Sequence, residues 1–168
     1  MRCKTRELIM YGRIYCLLPV LLLGFVSINS WAAETSAMPP PESYCKWEMK
    51  NLSINEPLCG LAGNAQRGQV ITADSSQGNC VACHQLPVEG VEDFGNLGPS
   101  LFGVGSRYSE GSLRLRVVDT RQINPMSIMP GFYRDPALLH RPGKAYIGRT
   151  FLTAQQVEDV VAYLVTLK

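Results

Sequence analysis

Hydrophobic and polar positions near the end of the chain repeat with the period of an α-helix. Thr153 precedes the repeat and Gln156 stands three residues later, which is the pattern of a capping box. We therefore predict a terminal helix that begins after Thr153 and buries one face against a partner. Its apolar positions recur at i, i+3, i+4 and i+7, and they are Val157, Val160, Val161 and Leu164.

Two shorter segments also have a helical pattern. The first covers residues 64–74, with Asn64 as its N-cap, and its modest apolar side makes it the expected partner of the terminal helix. The second covers residues 111–119. The apolar residues of the first segment are Ala65, Val70, Ile71 and Ala73, and those predicted to face inward in the second are Leu113 and Val117, with Leu115 as a further candidate.

The first apolar run belongs to a targeting segment. Four basic residues precede it, Pro19 interrupts it, and Ser30 and Ala32 are small residues at the positions that a signal peptidase reads. We predict a signal peptide over residues 1–32, cleaved after Ala32, and export of the remaining chain. A retained membrane anchor is the alternative, but a span needs about 20 apolar residues and this run, residues 14–28, has fifteen.

Removal of that segment changes the charge balance. Residues 33–168 hold 12 Lys and Arg against 13 Asp and Glu. The basic pI of the full sequence, 8.2, is therefore mostly a property of the signal. The charge gives no reason to expect a nucleic-acid ligand.

A short motif after the first predicted helix can hold a haem. Cys80 and Cys83 are three positions apart, and His84 follows directly. Two thiols at this spacing can add to the vinyl groups of one haem, and the adjacent imidazole is then placed to bind its iron. A redox Cys-x-x-Cys would follow a buried strand, whereas a polar turn at residues 74–79 precedes this motif. A structural zinc site would need a second close pair of ligands. We therefore predict one covalently bound haem c.

The exported chain has two further cysteines, Cys45 and Cys59, because the first two leave with the signal. An even pair in an oxidising compartment indicates a disulfide, and two free thiols that only pack are the alternative. Residues 33–62 begin with a proline-rich lead at 37–41 and lack the material for a core of their own. We expect an arm, pinned by the disulfide and laid on a main domain at 63–168.

The second half of the chain must supply the remaining iron ligand. In cytochromes a proline carbonyl commonly accepts the other N–H of the axial imidazole, and Pro99 is the candidate. For the sixth position the candidates are Met129, Met126 and His140. Pro130 disfavours helix at Met129 and holds it extended, so we favour this residue as the axial ligand. Both methionines could instead pack against a haem that is ligated by another group.

The segment between Arg107 and Arg149 is basic, with eight Lys or Arg against three acids. It is either a solvated face or a functional one. The functional alternatives are a docking surface for an acidic partner and a set of partners for the haem propionates.

Four segments together resemble SoxX, the mono-haem subunit of the SoxAX cytochromes of bacterial thiosulfate oxidation. They are GNCVACH at 78–84, GNLGP at 95–99, NP and IMPGFYR within 124–134, and LTAQQVEDVVAYL at 152–164. The resemblance covers residues 63–168. Because all c-type cytochromes share the haem motif, it rests on the methionine segment and the terminal helix.

This resemblance implies an all-α, class I cytochrome c fold in the periplasm, with His84 and Met129 on the iron. It implies a SoxA-like partner subunit, a SoxYZ-like carrier whose cysteine receives thiosulfate, and a downstream cytochrome that takes the electrons. Two filled axial positions leave no site for a substrate, and a Cys45–Cys59 bridge leaves no free catalytic thiol. We expect electron transfer by an exported chain with no membrane span and no catalytic nucleophile.

Other functions remain open from the sequence. An independent soluble electron shuttle would show the same haem signals. A haem that only stabilises a structural or binding subunit is a second possibility. A peroxidase or gas sensor is a third, and it would require an open sixth position on the iron.

Overall fold

The structure, a computed structural model, describes residues 43–168. Within this range the chain forms helices and turns, with no strand. The predicted signal at 1–32 and the proline-rich lead at 37–41 lie outside the described residues. The helices are α1 (Ala65–Ala73), α2 (Val104–Arg107), α3 (Glu110–Asp119) and α4 (Ala154–Thr166), and single 3₁₀ turns lie at Leu58–Gly60, Cys80–Ala82, Thr120–Gln122, Pro136–Leu138 and Lys144–Tyr146.

The predicted helix starts are confirmed by their caps. The side chain of Asn64 accepts a hydrogen bond from the backbone N–H of Arg67 at 2.9 Å. At the start of α4, Thr153 and Gln156 satisfy each other's backbone N–H groups at 2.9 and 3.2 Å. This reciprocal arrangement is the capping box, and it sets where the terminal helix begins.

α1 and α4 cross in direct contact, as predicted. At Gly68 of α1 an added Cβ would lie 2.5 Å from the backbone carbon of Asp159 and 2.9 Å from the Cβ of Tyr163. The two backbones can approach this closely only because position 68 has no side chain. The predicted apolar side of α1 was partly wrong: Val70 is 64% exposed, because Gly68 and Ile71, three residues apart, form the buried face.

α3 is buried more completely than its pattern predicts. Leu113, Leu115, Val117 and Val118 are all core residues. Even the Arg114 side chain is only 1% exposed, and its Nε lies 2.8 Å from Glu158 Oε1 on α4. Glu110 pairs with the same guanidinium at 2.6 Å. The burial of a charge at the helix interface is tolerated because two carboxylates surround it.

The described part of the arm packs on the domain as expected. The Cys45–Cys59 disulfide is present, with 5.6 Å between the Cα atoms. Ile54 and Leu58 are core residues. The backbone N–H of Leu58 donates to Glu158 Oε1 at 2.9 Å, so the arm is bonded to the buried ion pair. It therefore contributes to the core and is not merely attached by its disulfide.

Between residues 43 and 168, no helix has both the length and the apolar character needed to cross a bilayer.

Candidate haem site

The two thiols and the imidazole lie on one tight turn. Asn79 adopts a left-handed conformation with φ 47°, which asparagine tolerates, and this conformation opens the turn at Cys80–Ala82. The backbone N–H groups of Cys83 and His84 both donate to the carbonyl of Cys80, at 3.1 and 2.9 Å. α1 delivers this turn, since the N–H of Gly78 donates to the Ile71 carbonyl at 3.2 Å.

The imidazole of His84 is oriented by a backbone carbonyl. Its Nδ1 lies 2.7 Å from the carbonyl oxygen of Pro99, which confirms the predicted partner. Because a carbonyl oxygen only accepts, the proton is on Nδ1 and the lone pair is on Nε2. This tautomer is the one that an axial ligand requires.

The loop after the motif runs alongside it. Three backbone hydrogen bonds hold the two segments in register: Gly95 N–H to Val81 O at 2.9 Å, Gly98 N–H to Cys83 O at 2.8 Å and Leu101 N–H to Gln85 O at 2.9 Å. An added Cβ at Gly98 would lie 2.5 Å from His84 Nδ1 and 2.8 Å from Nε2. The sequence predicts only a tight backbone here, and the contact with the imidazole was missed. The one feature of the sequence that could have indicated this contact is that Gly98 directly precedes Pro99, the predicted partner of the imidazole.

The cysteines of the motif are unsuited to the two alternative roles. Neither is bridged. Burial raises the pKa of the Cys80 thiol to about 12, so this thiol is neutral at physiological pH and lacks the thiolate that redox exchange requires. Within residues 43–168 no three His, Cys, Asp or Glu side chains are grouped to hold a metal ion by themselves. Two unbridged thiols beside an oriented imidazole fit haem attachment.

The three candidates for the sixth ligand have different surroundings. Met129 is half-buried and packs against the hydrophobic core. Met126 is 85% exposed, and His140 is also exposed. The chain just after Met129 is tied to the end of α3, because Phe132 N–H donates to Val117 O at 3.1 Å. A fixed, half-buried thioether is better suited to an axial ligand than a solvated one.

Some of the apolar side chains that the core leaves uncovered lie close in sequence to the candidate ligands. Among the described residues, Met126, Ile128 and Leu97 are the most exposed large hydrophobic side chains, at 85%, 74% and 70%. The first two lie within three positions of Met129, and Leu97 lies two before Pro99. An apolar group as large as a porphyrin would bury surface of this kind. The donor set and these side chains together fit a haem.

At least four of the eight cationic side chains in the basic segment between Arg107 and Arg149 have partners within the fold. Arg107 donates to the carbonyls of Ser100 and Phe102, and the Arg116 guanidinium lies 4.0 Å from the ring centre of Tyr108. Two more of its arginines, Arg114 and Arg134, pair with Glu158 and Asp119. Much of this charge thus stabilises the fold, a use that neither sequence interpretation includes.

Comparison with known proteins agrees with this geometry. The sequence profile named Cytochrome c matches residues 65–168. This chain belongs to the cytochrome c family. The cytochrome is 33% identical over 110 residues to a cytochrome c-553-like protein of Synechocystis sp., a match that covers 66% of this chain and 75% of the relative. Membership of the family implies a covalently bound haem c.

A solved structure gives a more specific likeness. A chain in the crystal structure of SoxXA from P. pantotrophus is 37% identical to this cytochrome, with a TM-score of 0.66. The match covers 73% of this chain and 94% of that one. The predicted all-α cytochrome c fold and the predicted resemblance to SoxX are both confirmed.

Proposed function

We propose that this cytochrome is exported, carries one covalently bound haem and transfers electrons as the X subunit of a SoxXA-type complex. The main observation is the His84 imidazole, held by Pro99 with Nε2 left as the ligand atom, in a chain whose fold matches one in SoxXA. The proposed organisation is a cleaved signal at 1–32, an arm at 33–62 and a cytochrome domain at 63–168.

The proposed ligands are Cys80 and Cys83, which would hold the haem through thioethers, and His84 and Met129, which would bind its iron. When bound, the haem supplies reversible one-electron oxidation. Donation from Nδ1 to Pro99 increases the basicity of Nε2 and prevents rotation of the ring. Methionine as the second axial ligand favours the reduced state and raises the potential.

The residues of this chain support electron transfer and no chemistry on a substrate. Both axial positions are assigned to side chains, and Cys45 and Cys59 are joined in the disulfide. The coupling of thiosulfate to a carrier cysteine breaks the S–H bond of the thiol, forms one S–S bond, and releases one proton and two electrons. One haem would accept one electron at a time, and with these ligands residues 43–168 offer neither an open axial position nor a free thiol outside the haem motif, so the proposal places the site of coupling on a SoxA-like subunit. A downstream cytochrome must then remove the electrons one by one, and a SoxYZ-like carrier brings the thiol.

An independent electron shuttle is the second candidate. The two candidates share the haem site and differ only in whether a larger subunit binds the chain.

Co-expression tests the proposal. The full chain is produced in the periplasm with a c-type maturation system, alone and with a SoxA-like subunit. We expect a coloured protein whose mass exceeds that of the processed polypeptide by one haem, and a stable complex when the subunit is present. A colourless polypeptide would contradict the whole proposal. A haem protein that stays monomeric beside the subunit but exchanges electrons with a soluble cytochrome would favour the shuttle.

A further inference from the structure

We propose that Asp119 is a positioning residue for Met129. Its buried carboxylate holds together the two ends of the loop that carries this methionine, residues 121–134, which we call the methionine loop. The inference rests on the proposed ligand set. It assigns a role to an acidic residue at the end of α3, one of the five polar or charged residues that are buried within the described part of the chain.

The carboxylate of Asp119 receives groups from both flanks of the loop. Before Met129, it accepts hydrogen bonds from the backbone N–H of Arg121 at 3.3 Å and from the side-chain amide of Gln122 at 3.1 Å. After Met129, it pairs with the Nε of Arg134 at 3.3 Å. One buried anion therefore joins segments that are thirteen residues apart in sequence.

The backbone of the loop also passes close to this carboxylate. An added Cβ at Gly131 would lie 3.0 Å from Asp119 Oδ1, and Gly131 is only two residues after Met129. The outgoing chain is then fixed to the last turn of α3, because Tyr133 N–H donates to Val118 O at 3.1 Å. A shift of the carboxylate would move the backbone that carries the thioether.

The tip of the loop has little support of its own. Its hydrogen bonds are local: Ser127 N–H donates to Asn124 O at 2.9 Å, and Met129 N–H donates to Ser127 Oγ at 3.3 Å. The bond from Arg121 Nε to the Ser127 carbonyl is long, at 3.4 Å. Since Met129 itself is only partly buried against the core and the hydrogen bonds of the tip are local, the position of its thioether depends on how firmly the ends of the loop are held.

The chain offers a matched control for a substitution at this site. Asp159 is equally buried and also pairs with an arginine, Arg67, at 2.6 Å. It also accepts a backbone N–H, from Asn64 at 2.7 Å. The Asp159 pair lies between α1 and α4, away from the methionine loop. Asp119→Asn and Asp159→Asn therefore each weaken an ion pair between a buried aspartate and an exposed or partly exposed arginine, and only the first acts on the loop.

Competition by added imidazole measures the effect. The oxidised holoprotein is titrated with imidazole while the far-red sulfur-to-iron charge-transfer band is followed. We expect Asp119→Asn to bind imidazole about tenfold more tightly than wild type, equivalent to about 1.4 kcal/mol, while Asp159→Asn binds it as wild type does. Arg134→Gln should shift the affinity in the same direction, and the double variant should show less than the sum of the two effects.

The possible results distinguish the positioning role of Asp119 from the assignment of Met129 as the iron ligand. Equal imidazole affinities in Asp119→Asn and Asp159→Asn would overturn the role of Asp119 while leaving Met129 as the ligand. A wild-type protein without the far-red band would overturn the Met129 assignment, and the positioning role with it. If Asp119→Asn does not fold, the imidazole affinity of Arg134→Gln tests the positioning role instead. The Arg134 side chain is 36% exposed, so its replacement should destabilise the fold less.

Discussion

His84 Nδ1 lies 2.7 Å from the carbonyl oxygen of Pro99, fifteen residues further along the chain. The partner that orients the imidazole is thus a main-chain atom, so no substitution of a side chain removes it directly. Its position depends instead on the backbone around it, which Gly98 brings against the face of the ring. Gly98 is therefore the residue through which this contact can be tested.

Gly98→Ala should impair haem incorporation. The new methyl group would lie 2.5 Å from His84 Nδ1, so the imidazole or the loop must move. Overpacking of this kind typically costs about 1–3 kcal/mol of unfolding free energy. The haem yield measures the loss of incorporation, and thermal unfolding of the holoprotein measures the loss of stability. Gly143→Ala is the control, since its nearest neighbour, Tyr146 Cδ2, is 3.9 Å away. A normal haem yield and stability in Gly98→Ala would contradict the contact.

Met129→Ala should abolish the far-red band of the oxidised protein and lower its reduction potential. The reason is that the iron would lose its sulfur ligand, which favours the reduced state. Met126→Ala and His140→Ala are the matched controls, because both variants keep the Met129 thioether and should therefore keep the far-red band. If the band survived in Met129→Ala and disappeared in one of these controls, the ligand would be reassigned.

Acid should destabilise the α1–α4 contact through Asp159. Burial by itself raises the pKa of this carboxyl, but hydrogen bonds from Arg67, the Asn64 N–H and Gln155 lower it below the usual value of 3.8. A lowered pKa in the folded state means that the contribution to stability is complete above the unfolded pKa and is lost as pH falls through the folded one. Denaturant unfolding at pH values between neutral and acid measures it.

In the same experiment Asp159→Asn should be less stable at neutral pH and should lose less stability on acidification. Glu92→Gln is the control, because Glu92 is exposed in the loop after the haem motif and should leave the acid profile of the wild type unchanged. Parallel pH profiles for wild type and Asp159→Asn would contradict the role of the carboxylate.

Replacement of Cys45 and Cys59 by serine should lower the free energy of unfolding by about 3 kcal/mol, since the disulfide closes a short loop and constrains the unfolded chain. The fold should persist. Ile54 remains in the core, and Arg114 donates to its carbonyl at 2.8 Å. Denaturant midpoints check this, and reductant should shift the wild type to the same value. A variant that fails to bind haem would show that the arm is needed for folding.

Local patterns in the sequence were sufficient to predict the haem motif and the residues at which the helices α1 and α4 begin. Cys80, Cys83 and His84 lie on a single turn, so their relative placement follows from spacing alone. The caps of α1 and α4 likewise involve residues three positions apart. The prediction failed at Val70, where a short helix of low amphipathicity could be rotated either way and only its contact with α4 selects the buried face.

The sequence alone was enough to predict the attachment motif, the main helices and the disulfide pair, because each depends on neighbouring residues or on a small set of cysteines. Only the tertiary structure showed that Arg114 and Glu158, 44 residues apart, form the ion pair to which the arm is bonded. It alone placed Gly98 against the imidazole and Asp119 between the ends of the methionine loop. Such contacts join segments that are distant along the chain, and their partners are selected by packing, which no local pattern records.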